Sequence, residues 1–299
     1  MSPSACPEQR VAVVIPAKDE ATRIATTVRA CRAIPRVDLV VVVDDGSVDD
    51  TQDHARAAGA VVVRHSVTRG KASALETGAS VVGMRDFQDG PARLLLFIDA
   101  DLGGSAATCA QLVPPVLDGA ADFSIAVLPK QAGAGGRGRV VRAARRAVAA
   151  ATGWLPVAPL SGQRCLTRSA YEAAVPLADG WGVEVAMTID LLVAGMRVVE
   201  VPCDIHHRAT GNDRAGRLHR AAQYADVLQA VASRKLRRHR VPVSRRLAAA
   251  KDQKAFHPYQ AWDPHTAGLH GHAYPERQVP AKGVGGPAEK RATVPGTQA

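Results

Sequence analysis

The sequence predicts an α/β fold, a mostly parallel central sheet flanked by helices. Three observations predict it. Short apolar runs alternate with amphipathic stretches in the order β-α-β-α-β-α-β between Val11 and Ile98. The runs are apolar at every position rather than at every second one, as strands covered on both faces require. Each of the main runs ends in a polar cluster, so the clusters gather along one edge of the sheet, where open α/β sheets bind their ligands.

In chain order, Met1 to Gln9 is a short polar leader, and Val11 to Ile15 is a buried strand ended by Pro16. Lys18-Asp19-Glu20 leads into an amphipathic helix from about Ala21 to Ala33. Leu39 to Val43 is the second strand and closes on Asp44-Asp45-Gly46-Ser47. Asp49-Asp50-Thr51 supplies caps for a helix to about Ala58. Val61 to Val63 is the third strand. Arg69-Gly70-Lys71 opens a helix from about Ala72 to Arg85. Leu94 to Ile98 is the central strand, ending at Asp99-Ala100-Asp101, with Gly103-Gly104 turning the chain away. Beyond Thr108 a helix runs to about Leu117, and Phe123 to Leu128 is a strand. Gly133 to Arg139 is a basic, glycine-rich loop and Val140 to Ala151 a helix. Pro156 to Pro159 is extended, and Leu160 to Leu166 is a loop entering a strand. Trp181 to Glu184 precede an apolar helix, Val185 to Ala194, and Val198 to Val201 is a strand. Cys203 to Arg208, with His206-His207, follow it. Arg217 to Val231 is helical, Arg234 to Arg246 is a basic cluster, and from about Ala248 the chain has no periodicity and is expected to be disordered.

Two carboxylates at the end of a buried strand need a cation or strong donors, because an unpaired buried charge is costly. Read from the residues alone, Asp99-Ala100-Asp101 is either a solvated acidic turn or a seat for a hard divalent ion with a diphosphate. There is no G-x-G-x-x-G turn after the first strand and no Walker A loop, which argues against an ordinary NAD site or a P-loop.

The 299 residues carry a net charge of +10, which favours anionic partners without choosing among them. The five cysteines show no C-x-x-C spacing, and neither a disulfide frame nor a zinc site is expected. The apolar run at the N-terminus is too short for a signal peptide, and no stretch is long enough to span a membrane. Basic residues without interleaved aromatics do not favour nucleic acid, and none is expected as a partner.

VVIPAKDE, VVDDGSVDDT, RGKASAL and FIDADL, in this order, resemble a family 2 glycosyltransferase with the GT-A (Rossmann-like) fold. The resemblance covers roughly Val11 to Arg208. In the second half, GGRGRV, PLSGQ, WGVEVAMTID and HHR are most similar to the glucosyl-3-phosphoglycerate synthases. Polyprenyl-phosphate sugar transferases share the first half and an S-G-x-R element.

The resemblance implies a set of roles. Pro16, Ala17, Glu20, Asp45, Lys71 and Asp99 would hold the donor nucleotide. Asp101 and His207 would hold Mg²⁺ or Mn²⁺. Asp101, Glu184 and Lys71 would carry the chemistry. Gly136, Arg137, Gln163 and Trp181 would bind the acceptor. Asp45 stands where the relative has Ser, Gly138-Arg139 replace a Val-Thr pair, and Gln163 replaces Glu. The implied reaction moves a sugar from a nucleotide diphosphate sugar of the UDP-glucose kind to an anionic, phosphorylated small acceptor such as 3-phosphoglycerate. A polyprenyl-phosphate transferase at the membrane surface is the alternative. The implied organisation is a nucleotide-sugar half (10–128), an acceptor half (129–210), a basic helical segment (211–246) and a tail (247–299). The expected location is cytoplasmic. Peripheral contact with the inner membrane face through the basic segment and a homodimer stay open.

Overall fold

The computed structural model describes residues 8–86, 90–129, 137–205 and 214–251. Seven strands form one sheet in the order β3-β2-β1-β4-β6-β5-β7. They are β1 (Val11–Ala17), β2 (Val37–Asp44), β3 (Val61–Arg64), β4 (Leu94–Phe97), β5 (Phe123–Val127), β6 (Arg164–Leu166) and β7 (Val198–Pro202). All neighbours pair in parallel except β6, which runs antiparallel between β4 and β5.

The continuous apolar runs have the predicted cause. Along β1, Val11, Val13 and Ile15 enter one core while Ala12 and Val14 enter the other. The same alternation divides β4, with Leu94 and Leu96 on one face and Leu95 and Phe97 on the other. Helices α1 (Ile24–Arg32) and α2 (Thr51–Ala57) serve one layer, and α3 (Lys71–Gly83), α5 (Arg137–Thr152) and α7 (Val183–Val193) the other. Helices α4 (Pro114–Leu117), α6 (Arg168–Ala174), α8 (Arg214–Leu236) and α9 (Val243–Lys251) are the other α-helices among the described residues. None of the described helices is long and apolar enough to cross a membrane.

Three segments differ from the sequence reading. The helix expected from Thr108 to Leu117 is instead a 3₁₀ segment, Ala100–Leu112, followed by the single turn α4. Gly103 interrupts the segment at φ +56°, and Pro114-Pro115 cannot donate to a preceding turn, so no regular α-helix spans the stretch. Helix α5 starts at Arg137, inside the expected loop. Helix α9 continues to Lys251 with Ala249 fully buried, so the first residues of the expected tail are helical.

Orientation fixes where function can sit. Strands β1, β2, β4, β5 and β7 all end at one edge, and antiparallel β6 begins there. The chain therefore returns to that edge through residues 153–163 before entering β6, which places Leu160 to Gln163 beside the end of β4.

Candidate active site

At this edge four side chains from four segments converge. Lys71 opens α3, Asp99 follows β4, Gln163 precedes β6 and Glu184 lies in the first turn of α7. The Lys71 ammonium donates to Asp99 Oδ1 at 2.7 Å and to Glu184 Oε1 at 2.8 Å. Gln163 Nε2 donates to the other Asp99 oxygen at 2.6 Å. Burial alone would push the Lys71 pKa down, but the two carboxylates overturn that and hold it above its usual value. An ammonium has three N–H donors. Two are used, and the Lys71 side chain keeps 22% of its surface exposed.

Gly162 makes this packing achievable. A Cβ there would stand 2.6 Å from the Lys71 ammonium and 2.7 Å from an Asp99 oxygen. Ser161 Oγ steadies the Gln163 amide from the other side at 3.2 Å.

Next to the cluster, Asp45 is buried and organises the turn into α3. Its oxygens accept from the amides of Arg69 and Gly70, each at 2.8 Å, and from His65 Nδ1 at 2.7 Å. Burial opposes ionisation, yet these donors hold its carboxyl below the usual range. Asp44 Oδ1 accepts from the Ser47 amide, and Arg64 lies 3.5 Å from Oδ2. Gly46 takes φ +76° in this turn, a conformation glycine adopts without strain.

With this geometry in place, comparison with known proteins decides the family. The glycosyl transferase family 2 profile matches residues 12–168, more than half of the chain. The chain belongs to glycosyl transferase family 2. This family 2 chain is 30% identical over 197 residues to glucosyl-3-phosphoglycerate synthase of Mycolicibacterium paratuberculosis, covering 60% of this chain and 59% of the relative. It thus spans about three fifths of that relative's length. It is similar to the crystal structure of glucosyl-3-phosphoglycerate synthase from Mycobacterium tuberculosis in complex with phosphoglyceric acid. That match has a TM-score of 0.62 and 28% identity, over 79% of this chain and 82% of the other. A second structure of the tuberculosis enzyme, with Mn²⁺, UDP-glucose and phosphoglyceric acid, matches at TM-score 0.60 and 28% identity, over 79% and 81%. The GT-A-like sheet expected from the sequence is the observed one.

The remaining candidates of the family 2 chain fall into three groups. Pro16 and Ala17 end β1 beside the cluster's edge, where the Ala17 carbonyl accepts from the Asp45 amide at 2.8 Å. The Glu20 amide donates to Thr51 Oγ1 at 2.8 Å, tying that loop to the start of α2. Asp101 sits in the first turn of the 3₁₀ segment, two residues past Asp99, and is partly exposed. Trp181 lies in a short 3₁₀ turn, Gly180–Gly182, and is 40% exposed, with its amide bonded to Asp226 Oδ2. Gly136, the Arg137 side chain and His207 lie outside the described residues. Among the described residues no group of three or more His, Cys, Asp or Glu side chains is placed to hold a metal.

Two residues to which the sequence reading gave no role support the cluster from behind. Arg164 is buried, and its guanidinium donates to the Ser161 carbonyl and to Thr188 Oγ1, each at 2.9 Å. Thr188 Oγ1 in turn donates to the Glu184 carbonyl, so Arg164 links the Gln163 loop to the turn that carries Glu184. Burial pulls its pKa down to about 10. Glu200 of β7 accepts from the amides of Val157 and Ala158 and so pins the segment returning to β6. Arg164 is the arginine of the S-G-x-R element, whose distant partners the sequence does not show, and a lone Glu such as Glu200 leaves no pattern in the sequence.

Proposed function

We propose that the chain transfers a sugar from a nucleotide diphosphate sugar of the UDP-glucose kind to a phosphorylated small acceptor such as 3-phosphoglycerate. The observation that carries this reading is the Lys71 ammonium, bound to Asp99 and Glu184 with one N–H left over, at the edge where the strands end. That donor suits a diphosphate oxygen, and the N-terminus of α3 favours the same anion. The solved relatives crystallised with UDP-glucose and phosphoglyceric acid support the donor and acceptor classes.

A divalent cation fits the chemistry of this edge. Asp99 and Glu184 share the Lys71 ammonium, and Asp101 follows Asp99 by two residues. A diphosphate placed beside carboxylates is favoured by a hard cation that comes with it. Asp101 and His207 would hold Mg²⁺ or Mn²⁺, which when bound neutralises charge on the departing diphosphate.

The chain's own side chains do the rest in this reading. Pro16, Ala17, Glu20 and Asp45 shape the nucleotide pocket, with Asp45 acting through the turn it holds. Lys71 stabilises negative charge as the bond from the anomeric carbon to the diphosphate breaks. Asp99, fixed by Lys71 and Gln163, faces the ribose or the cation. Glu184 faces the transferred sugar. Gly136 and Arg137 would take the acceptor phosphate, since backbone amides and a guanidinium donate together. Trp181 would wall the sugar pocket.

The test is UDP release from UDP-glucose with Mn²⁺, in the presence of 3-phosphoglycerate, of a polyprenyl phosphate, or of neither. Stimulation by 3-phosphoglycerate is expected, and Asp101→Ala should lower the rate by about 10²-fold or more with an unchanged circular dichroism spectrum. Stimulation by the polyprenyl phosphate alone would replace the acceptor assignment. Release of pyrophosphate instead of UDP would overturn sugar transfer.

A further inference from the structure

We propose that the end of α8, the turn after it and α9 form a docking surface for an anionic lipid bilayer. Between Asp226 and Asp252 the chain has eight Lys and Arg and no acidic residue. On α5, Arg142 and Arg146 are exposed as well. The fold brings the two segments together. The Val241 amide donates to the Ala151 carbonyl at 3.0 Å, and Arg246 donates to the Ala150 carbonyl at 2.8 Å.

Of the nearby acidic residues, Asp190 takes up only Arg234 and His239, and the others are engaged elsewhere. Asp226 accepts from the Trp181 amide, and Glu200 from the amides of Val157 and Ala158. Lys235, Arg237, Arg238, Arg240, Arg245 and Lys251 are left exposed on the outer side.

Apolar side chains stand among these cations. Leu236 is 86% exposed, Val243 58% and Leu247 61%. Val243 and Leu247 are one turn apart on α9, so they share a face, while Ala249 is buried. Basic side chains with interspersed large apolar ones match an interface of anionic headgroups over acyl chains. A soluble polyanion would use the charge and leave the leucines in water. A second copy meeting the same patch would oppose cation to cation. Residues 252–299 carry five Lys and Arg against four Asp and Glu, so they offer no complementary charge. The surface lies at the C-terminal end of α5, while the Lys71 cluster lies at the sheet edge from which α5 departs. This docking is therefore independent of the acceptor assignment.

The experiment is co-sedimentation of the full chain with phosphatidylcholine vesicles, with and without phosphatidylglycerol as roughly a third of the lipid. Binding is expected only with phosphatidylglycerol, and it should be lost on going from about 0.1 M to about 1 M salt. The triple variant Arg237→Glu, Arg240→Glu, Arg245→Glu should bind about tenfold more weakly or worse. Leu247→Asp should weaken vesicle binding while keeping retention on heparin, a soluble polyanion. Both variants are first checked for an unchanged thermal midpoint. Equal binding to both vesicles, no binding to either, or a triple variant that binds like the parent overturns the proposal. So does heparin retention without vesicle binding, or Leu247→Asp binding like the parent.

Discussion

At Lys71 one ammonium holds two carboxylates, so its removal should cost both chemistry and stability. Its pKa is raised above the usual 10.5. The stabilisation is therefore fully present below pH 10.5 and fades only as pH climbs through the higher folded value. At pH 7 the Lys71→Met variant should lose about 10²-fold or more in turnover. It should also lose about 1–3 kcal/mol in urea unfolding, since Asp99 and Glu184 would lose the ammonium they share. A variant with near-parental turnover would remove Lys71 from the chemistry. Asp45 has the opposite sign. Its folded pKa lies below 3.8, so its contribution is present above that pH and lost as pH falls through the folded value. Asp45→Asn should cost about 1–3 kcal/mol at pH 7, and the gap to the parent should narrow at pH 3, read as urea midpoints. The sequence motif placed Asp45 near the nucleotide. It could not show that the donors meeting its carboxylate lie 20 to 25 positions away, at His65, Arg69 and Gly70. Lys71, Asp99 and Glu184 were legible as acidic and basic groups at element ends, but their meeting on one ammonium was not, because Lys71 and Glu184 are 113 residues apart.

At the scale of elements, the strands were legible because burial on both faces demands unbroken apolar runs. The weak places were segments whose form depends on contacts far along the chain. The three-residue strand β6 is too short to carry a period, and its antiparallel direction follows from the return segment that Glu200 pins. The 3₁₀ segment after Asp99 likewise follows from Gly103 and the Pro pair, and Thr27 Oγ1 braces it by accepting from the Gly103 amide at 2.9 Å. Helix α3 shows how closely an element is set. Gly78 meets the Val14 side chain of β1, and a Cβ there would overlap it, with Val43 of β2 the next neighbour at 3.3 Å. Gly78→Leu should lift α3 from the sheet and cost about 1–3 kcal/mol or more in chemical denaturation. Because Lys71 opens the same helix, turnover should fall along with the midpoint. Unchanged stability would mean that α3 sits less tightly on β1 than the structure has it.

For the molecule as a whole, the candidate site joins two stretches of chain that the sequence reading assigned to separate halves. Lys71 and Asp99 come from the first, and Gln163 and Glu184 from the second. The sheet crosses the same divide, since β6 pairs with β4 on one side and β5 on the other. Neither half can open without breaking strand pairs and the Lys71 contacts together, so a single cooperative unfolding transition is expected. A ligand that binds only the closed arrangement stabilises the whole unit by mass action. UDP with Mn²⁺ at about 100 times its dissociation constant should contribute about 2.7 kcal/mol, which for a chain of this size raises the melting temperature by about 5–10 °C. In Asp101→Ala the Mn²⁺-dependent part of that rise should vanish while the transition stays single. Differential scanning calorimetry decides it. A calorimetric trace that splits in two, with only one part responding to UDP and Mn²⁺, would mean that the halves fold separately and the ligand bridges nothing.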